Sequence, residues 1–366
     1  MGGQCRKGIN MDCKQLTEIK AGLLCYGVNV DKEVGEELLK SRPYFYDKGF
    51  VHAINANISG SNVCVSVAEL FSGVSPYHLR HREGGFYIDC EDGVSVPINL
   101  FDDLPKTGTV IDSLARPHSN HVISLWPSLV CCFDRPGAKC KFCSIKPTPE
   151  QGVVPAQEVV EGLRALYALT GDRYSINLGG GTYINPDNMA RYLIEIIKGV
   201  RTFTQVPISV EMAPPSDISL LKELKDAGAS SLIMNLEVAD DSLRKEICRG
   251  KSAIKKQHYY DCYRYGVEVF GRGKISCVLI AGIQPAGDIV KECETLTDIG
   301  VIPTIIPFKA MDDCEFHDRA NCNADELISI SQRVGEILKS KGLSPKTQEG
   351  CTKCGGCSLE TNYYEL

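Results

Sequence analysis

From about Val110 to Pro307 the chain alternates short β-branched apolar runs with longer stretches of helical periodicity, and nothing else in the sequence limits its fold as strongly. The candidate strands are His121–Leu125, Tyr174–Leu178, Pro207–Glu211, Ser230–Leu236, Lys274–Ile280 and Val301–Pro307. Between and after them lie candidate helices at Ala156–Leu169, Pro186–Val200, Asp217–Ala227, Ile254–Tyr265, Ala286–Ile299 and Ala324–Lys341. Strands that alternate with helices bury both faces of a parallel sheet, so the pattern predicts an α/β fold, a partial (β/α)6 TIM-like barrel over residues 110–342. Ser216–Asp217 and Asn323 stand where helix N-caps belong, and Gly342 stands where the last helix should stop.

The flanks read differently. Residues 1–109 predict a small α+β cap, with helices at Asp31–Ser41 and Val65–Phe71 and strands Gly85–Cys90 and Val94–Pro97 around the turn Glu91–Asp92–Gly93. Residues 343–366 predict a polar linker and a cysteine-rich tail. The N-terminus has no apolar run suited to a signal peptide, and no stretch reaches the length of a membrane span, which predicts a cytoplasmic location without membrane attachment. A net charge of −6 with interspersed signs offers no basic stripe for a nucleic-acid duplex and favours a small-molecule or protein substrate. Eighteen cysteines without a secretory signal point to thiols that serve metals in a reducing compartment, a density that suits an anaerobe.

Three of those cysteines, Cys132, Cys140 and Cys143, follow the first candidate strand, with Cys131 adjacent and Phe142 just before the last. Four thiolates close a structural zinc site or an electron-transfer cluster, whereas three leave one iron of a 4Fe–4S cluster open to a ligand. A zinc knuckle completed by Cys131 or a distant residue is the competing reading. A second group, Cys351, Cys354 and Cys357, has two-residue gaps and Gly355–Gly356 between the last pair. It reads as an auxiliary iron–sulfur cluster, or as a structural zinc site with Cys5, Cys13, Cys314 or Cys322 as fourth ligand. Cys64, Cys262, Cys277 and Cys293 sit in strand-like or helix-like patterns and read as inert interior thiols.

The cysteine loop at the C-terminal end of a first barrel strand resembles that of the radical S-adenosylmethionine (SAM) superfamily, although the gaps are seven and two where the family usually has three and two. The resemblance implies a 4Fe–4S cluster on Cys132, Cys140 and Cys143, or with Cys131 as first ligand at gaps of eight and two, and SAM on the open iron. Gly179–Gly180–Gly181–Thr182 then resembles the family's Gly-Gly-Glu-Pro motif, with Gly181 and Thr182 in place of Glu and Pro. Asn235 and Glu237 resemble the element that holds the SAM ribose; on a strand both would face inward with Leu236 outward. Glu211 is a further inward carboxylate, and Ile283, after Gly282, resembles the segment that packs on adenine. Gly22–Val28 and Ser75–Pro76–Tyr77 are similar to a divergent biotin-synthase-like branch that includes the archaeal two-protein lipoyl synthases.

The resemblance implies reductive cleavage of SAM and hydrogen abstraction from a small-molecule or lipoyl-type substrate, with flavodoxin or ferredoxin as electron donor. Sulfur insertion, a transferase reaction, is the specific expectation. Radical cleavage of a C–C or C–N bond in a nucleoside-like substrate, and a non-catalytic iron–sulfur carrier, stand as alternatives. Arg249, Lys309 and His317 lie near strand ends and read as solvated surface rather than ligands.

Overall fold

The computed structural model describes residues 11–41, 53–82, 85–145 and 152–366. Helix α1 (Cys13–Tyr26) starts at a capping box in which the Asp12 carboxylate accepts from the Gln15 N–H while the Gln15 side chain accepts from the Asp12 N–H. Then follow β1 (Asn29–Val30), α2 (Lys32–Ser41), β2 (Ala53–Ile58), β3 (Ser61–Ser66), β4 (Tyr77–Arg82), β5 (Gly85–Cys90) and β6 (Ser95–Leu100). These strands form one six-stranded sheet in the order β1-β4-β5-β6-β2-β3. The expected hairpin is present, with Cys90 donating to Val94 across the turn. The expected helix at Val65–Phe71 is not: β3 runs through Val65, and only a 3-10 turn at Ala68–Leu70 follows. The alternation of Val63 and Val65 buries them against the core, a period-2 pattern that outweighs helix propensity.

After α3 (Ile111–Leu114), strands β7 (Ala115–Ser119) and β8 (Val122–Ser128) open the second sheet. It continues through α4 (Ala156–Thr170), β9 (Ser175–Gly180), α5 (Pro186–Val200), β10 (Ile208–Glu211), α6 (Leu220–Ala227) and β11 (Ser231–Ile233). Then come α7 (Asp241–Ile247), α8 (Lys256–Phe270), β12 (Ile275–Ala281), α9 (Ala286–Ile299), β13 (Ile302–Pro307) and α10 (Ala324–Ser340). The sheet order is β13-β12-β11-β10-β9-β8-β7; β8 to β13 run parallel in chain order, and β7 is an antiparallel edge. Asn323 caps α10 as expected, accepting from Asp325. Neither Ser216 nor Asp217 caps α6, which starts later, at Leu220; Asp217 instead accepts from the Ser219 N–H one turn earlier.

Register puts small polar residues on one face of this sheet: Asn177 pairs with Ser209, and Ser209 with Ser231. All three are buried, as is Ser276 on β12. The tail covers them. Helix α11 (Gly350–Cys354) has Thr352 hydrogen-bonded to Ser276 at 2.9 Å, and a Cβ on Gly350 would lie 2.5 Å from the Ser209 Cβ. Helix α12 (Glu360–Glu365) then packs on α10, where a Cβ on Gly335 would meet the Tyr363 Cβ at 2.7 Å. The tail is therefore an interior element in place of the expected polar appendage, because Leu359, Glu360 and Tyr363 are buried. Buried apolar residues from both sheets and from α12 make one continuous core.

Candidate functional site

Strand β8 delivers the cysteine loop. Its first residues dock on the glycine run at the end of β9: the Cys132 N–H donates to the Thr182 carbonyl at 2.8 Å, and the Gly181 N–H to the Ser128 carbonyl at 2.9 Å. The glycines are needed for this approach, since a Cβ at Gly180 would lie 2.3 Å from the Ser128 oxygen and one at Gly181 2.4 Å from the Val130 oxygen. Gly180 also has φ +145, which few other residues adopt. Gly179 faces Glu211, whose Cβ would lie 3.0 Å from a Cβ there.

Cys131, Cys132, Cys140 and Cys143 are all half-buried. Burial pushes the Cys132 thiol up, and the Cys143 thiol up to about 11. Phe142 and Cys140 pack against a small apolar cluster that contains Ile283, Ile280 and Cys248, so three residues assigned separately from the sequence share one patch. The Cys140 and Cys248 Sγ atoms and a Glu237 carboxylate oxygen lie within 4.8 Å of one another, and among the described residues no other three such ligand groups are so close.

Strand alternation does not carry Asn235 and Glu237 as expected. Strand β11 ends at Ile233, and Glu237 sits in the left-handed region at φ +69, held by its N–H on the Val278 carbonyl and by the Ile280 N–H on its own carbonyl. Such a conformation in a non-glycine residue costs about 1–3 kcal/mol and collects at functional sites. Its carboxylate pairs with Lys251 at 2.9 Å, and both side chains are nearly enclosed. Leu236, expected to point out of the barrel toward the helices, is fully buried, which that placement allows. Asn235 donates to Glu211 at 2.8 Å while its carbonyl oxygen accepts from the Val278 N–H, so Asn235 and Glu211 form one inward polar unit. Burial raises the Glu211 carboxyl.

The inner face of the parallel sheet borders a cavity of about 470 Å³. Phe142 and Ser144 reach it from the cysteine loop; Cys351, Cys354 and Cys357 reach it from the tail. Apolar side chains such as Trp126, Val278 and Ile306 make up much of the wall. Lys309 also lines it, donating to Ser66 at 2.9 Å, and so is not the surface residue the sequence suggested. Arg249 pairs with Glu315, and His317 is exposed, both away from this lining.

Sequence reasoning missed Cys64 and His118. Cys64 of β3 also lines the cavity, with its thiol beside that of Cys357. His118 Nδ1 is 3.5 Å from the Cys351 Sγ, and burial pushes its imidazole down to about 4. A lone cysteine or histidine on a strand carries no spacing signal, so neither could have been found from the sequence. The fourth ligands suggested there do not gather here: Cys13 is exposed, Cys314 belongs to the patch under Phe142, and Cys322 sits against Cys25. Cys5 lies outside the described residues.

The donor set fits a cluster better than a single ion. Tetrahedral zinc with bonds of about 2.3 Å needs sulfurs roughly 3.8 Å apart. No three thiols of either motif come within 4.8 Å of one another.

Residues 131–285 match the family model of the Radical SAM superfamily. The chain is 22% identical over 256 residues to bacteriochlorophyllide c C-7(1)-hydroxylase of Chlorobaculum limnaeum, an alignment spanning 63% of each. Among solved structures, methylornithine synthase superposes with a TM-score of 0.48 at 15% identity, covering 60% of this chain and 62% of that one. A radical SAM methyltransferase from Sphaerobacter thermophilus superposes with a TM-score of 0.44 at 14% identity, covering 74% and 76%. Over residues 131–285 the chain is thus similar to the radical SAM superfamily, and the match begins at the three-cysteine loop.

Proposed function

We propose that this chain binds a 4Fe–4S cluster on Cys132, Cys140 and Cys143 and SAM beside it, within a partial (β/α)6 barrel. When bound, the cluster supplies one electron that splits the SAM sulfonium into methionine and a 5′-deoxyadenosyl radical able to take a hydrogen atom from substrate. The chain's own residues orient and shield. Gly180 and Gly181 let the cysteine loop seat on β9, Phe142 and Ile283 exclude water beside it, and the Glu211–Asn235 unit offers polar groups to SAM.

One observation carries the substrate reading: a single largely apolar cavity is bordered by both the cysteine loop and the tail thiols. A small apolar molecule with one anionic group fits it, because the Lys309 ammonium borders the cavity and keeps donors beyond the one given to Ser66. Sulfur insertion into an unactivated carbon is the specific reaction we infer, since the tail thiols share the cavity with the radical site. The name of the Chlorobaculum relative favours a second outcome, hydroxylation at carbon. The test is anaerobic turnover of free octanoate, and of octanoylated peptide for comparison, with SAM, a strong reductant and heavy-isotope sulfide in reconstitution. A product carrying the heavy sulfur supports insertion; an oxygenated product, or deoxyadenosine release with no modified acyl chain, refutes it.

A further inference from the structure

The tail offers three thiolates, yet a closed iron–sulfur cluster takes four. The turn that carries them is fastened to β3. The Cys64 N–H donates to the Gly356 carbonyl at 2.8 Å, and the Asn62 side chain donates to the Cys354 carbonyl at 3.1 Å. Gly355 adopts φ +64, which closes the turn, and the Gly356 Cα carries its backbone past the Cys354 Sγ, where an added Cβ would stand 3.4 Å away in ordinary contact. Lys20, itself buried, donates to the Gly355 carbonyl at 2.8 Å and sets a cation beside the group. The Cys64 thiol faces Cys357 on the same cavity wall.

We propose that Cys64 is the fourth ligand of the tail site, so that Cys64, Cys351, Cys354 and Cys357 together hold an iron–sulfur cluster on the cavity wall. The inference rests on the reading that the tail holds a cluster, and it divides the labour between the two sites. With four protein thiolates the tail cluster keeps no open iron for a ligand, and the three-cysteine loop alone retains one. It also ties β3 of the small sheet to α11 under the parallel sheet, two segments far apart in sequence. His118 then serves the sulfur of Cys351 through its ring nitrogen rather than binding iron.

The test uses the full chain in a Cys132→Ala/Cys140→Ala/Cys143→Ala background, reconstituted anaerobically with iron and sulfide, so that only the tail is read. The background should hold about four irons per chain and give one reduced-cluster EPR signal. Adding Cys64→Ala should lower the iron content by at least about a quarter and change that signal. Cys64→Ser should recover iron with shifted g-values, which a folding defect would not produce. Cys90→Ala, on β5, should change neither quantity. Unchanged iron and EPR in Cys64→Ala would overturn the assignment, as would loss of iron in His118→Ala with none in Cys64→Ala, or a Cys64–Cys357 disulfide in the anaerobic iron-loaded protein. No iron in the background with Cys64 intact would instead overturn the underlying tail-cluster reading.

Discussion

Replacing Gly181 with alanine tests whether the cysteine loop is positioned by backbone contact. The added Cβ would lie 2.4 Å from the Val130 carbonyl oxygen and 2.9 Å from that of Leu129, where ordinary contact begins near 3.4 Å. Both obstacles are backbone, so no rotamer change relieves them; the chain before Cys131 must retreat by about 1 Å. A misplacement of that size at a reacting centre costs on the order of 100-fold in rate, while the overpacking itself costs about 1–3 kcal/mol of stability. The assay is anaerobic deoxyadenosine formation per iron-loaded chain, with denaturant unfolding in parallel. Two variants separate geometry from stability. Gly162→Ala collides with Ile111 Cγ1 at 2.4 Å on α4 and should lose stability but keep its rate; Gly287→Ala meets nothing within 4 Å and should keep both. A Gly181→Ala protein that turns over at the wild-type rate, or a Gly162→Ala protein equally slow, would show that backbone contact does not position the loop.

Further expectations concern the buried charges and the cavity. Glu237→Gln strands the Lys251 ammonium in an enclosed pair and should destabilise the fold by roughly 3 kcal/mol, read by denaturant titration; a change under about 1 kcal/mol would contradict it. Burial lifts the Glu360 carboxyl from 4.5 to about 7, despite hydrogen bonding and the nearby Lys20. The native state thus holds a proton that the unfolded chain releases, and this group's contribution to stability is complete below about pH 4.5 and lost as pH rises to about 7. The loss is at most about 3 kcal/mol, and Glu360→Gln should flatten the stability profile across that window. Val278→Phe puts a ring into the cavity and should cut substrate turnover by about 10-fold or more while SAM cleavage without substrate persists.

What the sequence revealed follows from local physics. The parallel strands are buried on both faces and therefore read as continuous apolar runs, and Pro186 behind Asn185 marks the start of α5 plainly. The cysteine loop announced itself through spacing. Long-range facts did not. The burial of α11 depends on Gly350 and Thr352 meeting Asn177, Ser209 and Ser276, polar residues that in a sequence look like surface positions. Glu237 left its expected strand geometry because β11 stops at Ile233, and a left-handed glutamate has no sequence signature. Cys64 looked like any half-buried strand thiol, since only the folded chain brings Gly356 to its amide.

The most direct test of the central claim is SAM cleavage by the anaerobically reconstituted, reduced protein, compared with the Cys132→Ala, Cys140→Ala and Cys143→Ala variants. The wild type should release methionine and 5′-deoxyadenosine in equal amounts, and none of the variants should release either. A fully iron-loaded wild type that leaves SAM intact, or variants that cleave it as well, would contradict that claim.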